Sequence, residues 1–245
     1  MFRKLAALAL VLTLSSLAIA EDAPKPAPAL KDTKVDTAPL KDWGTRTYNA
    51  VRITPEGLET PMGTLALKTT VDKDRFQFED TLNVDQRETT VTSKVIPVAT
   101  LNITEATIAA KRGDVTTNGT VTVKDNQMTV TLDGKDKPVA NAPENSISIF
   151  GFFRLATLLP RDAGGKWTID AILNDFKFRW SAEAGMFIEC RGPQKVQVNG
   201  KEQRWTHFVL NTGQGERKQI EAWVDEKGQL CEIYIDNMKL TLAEK

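Results

Sequence analysis

The sequence predicts a mainly β protein: an antiparallel curved sheet, or half-barrel, with one apolar helix at about residues 146–159 packed on its concave side. Three observations predict it. Apolar and polar residues alternate with period two through most of the chain, the mark of strands with one buried and one wetter face. Turn-forming pairs punctuate these runs at hairpin distances, which favours a meander in which each strand pairs with the next. Only one stretch, 146–159, shows helical spacing, and parallel crossovers would need helices between strands.

The chain opens with Arg3 and Lys4, followed by an apolar run from Leu5 to Leu17 and the small-x-small triplet Ala18-Ile19-Ala20. That order reads as a secretory signal peptide over 1–20, with Glu21 the expected mature N-terminus and the periplasm or extracellular space the expected location. No cysteine follows the apolar core, which disfavours a lipid anchor. No transmembrane segment is expected in the mature chain.

Residues 21–42 carry Pro24, Pro26, Pro28 and Pro39 among Ala, Lys and Asp. So little apolar surface offsets ordering entropy poorly, and a disordered linker is predicted. Residues 43–245 suffice for one sizeable core and are expected to form a single β domain. Without Arg3 and Lys4 the 32 basic residues fall two short of the 32 acidic ones, a net charge of about −2. Such a balance disfavours a nucleic-acid partner and supplies no polybasic membrane patch.

Within the domain, Phe76, Phe78 and Leu82 share one strand face, as do Val121 and Val123, then Met128, Val130 and Leu132. Phe176, Phe178 and Trp180 repeat the pattern. Thr206, Phe208 and Leu210 oppose Trp205, His207 and Val209; Ile220, Ala222 and Val224 alternate with Glu221 and Trp223. Cys231, Ile233 and Ile235, then Met238, Leu240 and Leu242, close the series. Asn118-Gly119, Asn199-Gly200, Asp125-Asn126, Asp133-Gly134 and Lys227-Gly228 are the predicted reversals. In the segment 146–159, Ile149, Phe150, Phe153, Ala156 and Leu159 lie near helical spacing, Pro160 ends the run, and Asn145 or Ser146 could cap it. Ile147-Ser148-Ile149 also reads as a strand.

Chemistry-bearing residues are sparse. His207 is the only histidine, too few for a multi-histidine zinc site, and reads as an ordinary strand residue. No G-x-S-x-G elbow appears. Asp225-Glu226-Lys227-Gly228 lacks the alternating ligands of a calcium loop. Asn102-Ile103-Thr104 and Asn118-Gly119-Thr120 match a glycosylation pattern too short to be specific. Carboxylates are plentiful, yet a pair for glycoside hydrolysis cannot be told from solvated charges in sequence. Asp80 differs, because it shares a face with Phe76, Phe78 and Leu82: a functional carboxylate, an inward charge paired with an arginine, or a bulge that turns it outward. No catalytic residue, metal site or cofactor is assigned. Cys190 and Cys231 are disulfide candidates, or two separate thiols of small hydrophobic character. Phe76, Phe78, Phe150, Phe153, Phe176, Phe178 and Trp180 would fill a core or line an apolar ligand pocket between sheet and helix.

The aromatic strands of DRFQFEDTLNV, the central SIFGFFRLATLLP and the closing KQIEAWVDEKGQLCEIYI make a pattern. In element order and closing strands it resembles bacterial envelope domains of unknown function that share the half-barrel of the LolA and LolB lipoprotein carriers. The resemblance implies an antiparallel sheet curled around a helix and able to hold acyl chains. The leading expectation is therefore non-enzymatic binding of an apolar or lipid-like ligand in the envelope. A structural or protein-interaction module with a filled core, working with an envelope protein, is the alternative. An unrecognised enzyme is third.

Overall fold

The computed structural model describes residues 26–136, 140–174, 179–181, 185–212 and 219–243. Two meanders join edge to edge. The first runs through β1 (Gly44–Ile53), β2 (Glu59–Asp72), β3 (Arg75–Val84), β4 (Arg87–Val95), β5 (Ile103–Arg112), β6 (Val115–Lys124) and β7 (Gln127–Leu132) to the short β8 (Lys135–Asp136), with β9 (Ala140–Asn141) also on β7. A connection follows that carries β10 (Ser146–Ser148), the helix α1 (Ile149–Leu155), β11 (Lys166–Thr168), β12 (Ala171–Asn174) and β13 (Arg179–Ser181). The second meander is β14 (Phe187–Val198), β15 (Lys201–Asn211), β16 (Gln219–Asp225), β17 (Leu230–Ile235) and β18 (Met238–Leu242). Strand β18 pairs with β1, so among the described residues one 15-stranded antiparallel sheet runs from β11 to β8 without closing, with β9 beside β7 as the strand off that path. Strands β10, β12 and β13 form a small separate sheet.

The predicted fold class is the observed one. Tyr48, Leu65, Leu67, Phe78, Val91, Phe208, Ile233 and Leu240 all point into one apolar cluster, as alternation requires. Bulges at Ala50/Val51, Lys94/Val95, Cys190/Gly192 and Trp223/Val224 interrupt the ladders. Each adds local twist and helps the long sheet curl. At the first of them Gly63 has φ +150°, and a Cβ there would stand 1.8 Å from the Asn83 carbonyl oxygen, so only glycine fits. The helix touches β10, β12 and β17 and reaches β3 through Arg154, so it lies on the concave face. All seven of its residues are buried.

Four expectations change. The helix is shorter than 146–159: Ser146–Ser148 forms β10, parallel to β12, and Ser148 is the cap, its Oγ accepting from Gly151 N at 2.8 Å. Asn118-Gly119 lies inside β6; the turn is at Gly113, and Gly119 is needed because Leu132 and Ile108 press where its Cβ would be. Residues 26–42 are not an unstructured linker: Leu30 and Leu40 are fully buried, in 3-10 turns Leu30–Asp32 and Ala38–Asp42. No Cys190–Cys231 bridge forms; both thiols are free. Cys190 is on β14 and Cys231 on β17, with β15 and β16 between them. At about 4.8 Å per strand that separation is far beyond disulfide reach. Cys231 also falls at a bulge and is only half-buried, whereas Cys190 is buried with Met186 and Ile188 as alternation predicts.

Candidate functional site

The concave interior is where the sequence placed its site. The sequence reading puts Phe76 and Phe78 on one face of β3, and there they sit with ring centroids 6.2 Å apart. On α1, Phe153 lies 6.3 Å from Phe150 and 5.9 Å from Phe152. Phe76, Phe78, Phe150 and Phe153 are 3%, 2%, 2% and 0% exposed. The structure thus brings these four into one apolar cluster. Phe176 and Phe178 lie outside the described residues, and Trp180 falls in β13, of which only the backbone is described.

At the centre stands a charge that the sequence analysis did not single out. Arg154, alone among the residues of α1 in carrying charge, is 0% exposed. A guanidinium has five N–H donors, and here each finds an acceptor. Nε donates to Thr69 Oγ1 at 2.9 Å; Nη1 donates to Asp80 Oδ2 and the Phe150 carbonyl, both at 3.2 Å. Nη2 donates to the Lys68 carbonyl at 2.9 Å and to Asp80 Oδ1 at 2.5 Å. Its carbon lies 3.9 Å from the Phe78 ring centroid. Burial pushes the Asp80 carboxyl up, and the Arg154 fork pulls it back. Of the readings open for Asp80, the inward charge paired with an arginine is the one realised. A signal was present: a lone charge in a greasy segment must find a buried partner.

A second cation lies beside this pair. Arg46 follows Trp43 at the start of β1, its carbon 3.7 Å from the Trp43 ring centroid. Arg154 is 5.9 Å from the same centroid. Arg46 sits two residues before Tyr48, whose buried hydroxyl donates to the Leu230 carbonyl at 3.1 Å. The alternation argument applied to Asp80 would also have turned Arg46 inward.

On the outer face of β15, His207 is buried rather than ordinarily solvated. Its ring stacks on Trp223 at 4.0 Å and 6°. The Gln194 amide approaches Nδ1 at 3.4 Å, which leaves Nε2 to carry hydrogen towards Glu221 Oε2 at 2.9 Å. Glu221 is held below the usual carboxylate range, first by that hydrogen bond.

Several clefts border the described residues. A cleft of about 820 Å³ is bordered by Pro193, Lys195, Arg204, Trp205 and Asp225. One of about 670 Å³ is bordered by Ile53, Pro55, Glu221, Asp236 and Asn237. Phe76 borders one of about 290 Å³ with Val71, Lys73 and Pro97. Between β10 and the β5 side a space of only about 50 Å³ remains. Ligand pockets usually hold about 300–1,000 Å³. Among the described residues no group of three or more His, Cys, Asp or Glu could hold a metal ion. No described helix is long and apolar enough to cross a membrane.

No family model matches the chain, and no curated protein matches it. Among solved structures it is similar to a beta-barrel-like protein of domain of unknown function DUF1849 from Brucella abortus. Identity is 9%, the TM-score 0.49, and the match covers 82% of this chain and 95% of that one.

Proposed function

We propose that this chain is an exported, non-enzymatic envelope module with a filled interior, which works by protein interaction through its outer surface. One observation carries the reading. The concave face, where a carrier would hold an acyl chain, is occupied by α1, with Phe150 at 2% and Phe153 at 0% exposure and Arg154 locked to Asp80. Admitting a chain there would require moving a helix held by a fully satisfied buried guanidinium. Breaking a buried ion pair costs about 3–5 kcal/mol. Export rests on the leader pattern of residues 1–20.

The alternative, an apolar-ligand carrier with Phe76, Phe78, Phe150 and Phe153 as its lining, is decided by one variant and one probe. In the filled module Phe153→Ala destabilises by about 3–5 kcal/mol, and the unmodified protein binds no fluorescent acyl-chain probe. A smaller loss together with probe binding that changes in the variant would establish the carrier instead. Native mass spectrometry of material purified from its own envelope is expected to find no lipid. N-terminal sequencing of the same material is expected to begin at Glu21.

A further inference from the structure

Strand β15 outruns its neighbour. It pairs with β14 from Phe187 opposite Asn211 to Val198 opposite Lys201, whereas β16 stops at Asp225 opposite Trp205. Arg161 fixes that stop. Its Nη1 donates to the Asp225 and Glu226 carbonyls at 2.9 and 3.0 Å and holds the turn that leads into β17. Residues 201–204 are therefore a sheet edge, and all four are exposed. Which backbone groups they present follows from alternation. The Asp225 N–H donates to the Gln229 carbonyl at 2.9 Å and its carbonyl accepts from Gly228 N at 3.1 Å, so both turn away from Trp205. Trp205 and Gln203 then turn their backbone groups to β14, and Glu202 and Arg204 aim theirs into the open. The opposite edge of this ribbon is blunted by Pro193, which has no N–H.

Space lies where β16 would have continued. The cleft of about 820 Å³ borders Glu202, Gln203, Arg204 and Trp205 in succession, and Asp225, Glu226 and Lys227 at its end. Successive strand residues point to opposite faces, so a cleft bordered by four in a row runs along the edge itself. Lys195 pairs with Glu202 at 2.9 Å, whereas Arg204 makes no ion pair among the described residues. The charges decide against a second copy of this edge as the occupant. Alternation lets Glu202 and Arg204 face only the same two residues of another copy. Glu202 on Glu202, or Arg204 on Arg204, sets like charges opposite. Glu202 on Arg204 would push Lys201 into the place opposite Trp205 that Asp225 holds.

We propose that this free edge of β15 takes up an extended peptide segment of another protein, antiparallel and in line with β16, with an acidic side chain opposite Arg204. Main-chain hydrogen bonds to Glu202 and Arg204 would supply the affinity and the Arg204 guanidinium the selectivity. The proposal rests on the reading of the chain as a protein-interaction module and names the surface it uses.

The test is selection of phage-displayed random dodecapeptides on the purified chain, then fluorescence titration with the synthetic form of the most enriched one. Enriched peptides are expected to share an Asp or Glu within a run of β-branched residues. Arg204→Glu should weaken binding about tenfold, and exchanging the peptide's acidic residue for Lys should restore it. Arg204→Pro removes the N–H on the free edge and should abolish binding, while Gln197→Pro, on the outer edge of β14, should leave it unchanged. Should a proline variant fail to fold, amide hydrogen exchange decides: Glu202 and Arg204 exchange fast in the free chain and slowly once the peptide is added. No enriched peptide, equal binding by Arg204→Glu and wild type, or exchange at Glu202 and Arg204 unaltered by the peptide overturns the proposal. Acyl-probe binding is read separately. A carrier that also binds the peptide keeps this edge, and a filled module that binds no peptide loses only the edge.

Discussion

Arg154 and Asp80 are the residues on which the interior turns. Arg154→Met would leave the Asp80 carboxylate buried without its counter-charge, and a loss of about 3–5 kcal/mol is expected in urea denaturation. Adding Asp80→Leu to that variant should recover part of the loss, because the remaining partners, Thr69 and two carbonyls, are cheaper to leave than a carboxylate. No recovery would mean that packing of the guanidinium on Phe78, rather than charge, holds the helix. Glu221 gives the pH dependence, through its hydrogen bond from His207. Glu221 is depressed in the folded chain, so it contributes stability above the unfolded carboxylate range, about pH 4.3, and loses it as pH falls through the folded value. In His207→Gln the hydrogen bond weakens. The Tm gap between variant and wild type is then expected to narrow as pH falls from 6 to 3. A pH-independent gap would assign His207's effect to its stack on Trp223 alone.

At the scale of elements, α1 is short and depends on its cap. A helix of seven residues is marginal by propensity and is held by its surroundings. Ser148→Ala removes the bond to Gly151 N and is expected to cost about 1 kcal/mol. Gly151→Ala, which helix propensity alone would favour, is expected to destabilise too, since its Cβ would stand 2.9 Å from Ser148 Oγ. A stabilised Gly151→Ala in equilibrium denaturation would show that the cap yields freely. The same region marks how far sequence reading reaches. Phe150, Phe153 and Leu159 were legible as an apolar face. The helix start was not, because Ser146–Ser148 pairs in parallel with β12, about 25 residues later, and such a contact leaves no local signal. Strand faces were legible wherever one side is solvated, as at β3. On β15 they were less so, because Trp205, His207 and Val209 on the outer face are buried as well as Thr206, Phe208 and Leu210. Of the site, the phenylalanines were visible as a set. The two arginines were not, because a charge's inward turn becomes clear only when its partner or its stacking ring is known.

For the molecule as a whole, the segment before β1 behaves as a strap across the sheet. Thr168 N donates to the Pro28 carbonyl at 2.9 Å, Ala29 bridges Thr168 in parallel, and Lys31 N donates to Asn145 Oδ1 at 3.0 Å. The strap therefore covers the free side of β11, an edge that would otherwise present unpaired backbone groups to other chains. Composition argued for disorder, and two features overrule it. Proline presets an extended backbone, so less conformational freedom is lost on docking. Leu30 and Leu40 then anchor the strap in the core, both at 0% exposure. The two readings differ measurably at Leu30. In an unstructured linker Leu30→Ala would change stability by no more than about 0.5 kcal/mol. In a docked strap it opens a cavity beneath β11, and a loss of about 2–5 kcal/mol is expected. Uncovering the edge should also promote self-association, visible by light scattering as the variant is concentrated. A variant as stable as the wild type and free of self-association would return residues 26–42 to the role of a linker and leave the edge at β11 guarded by its shortness alone.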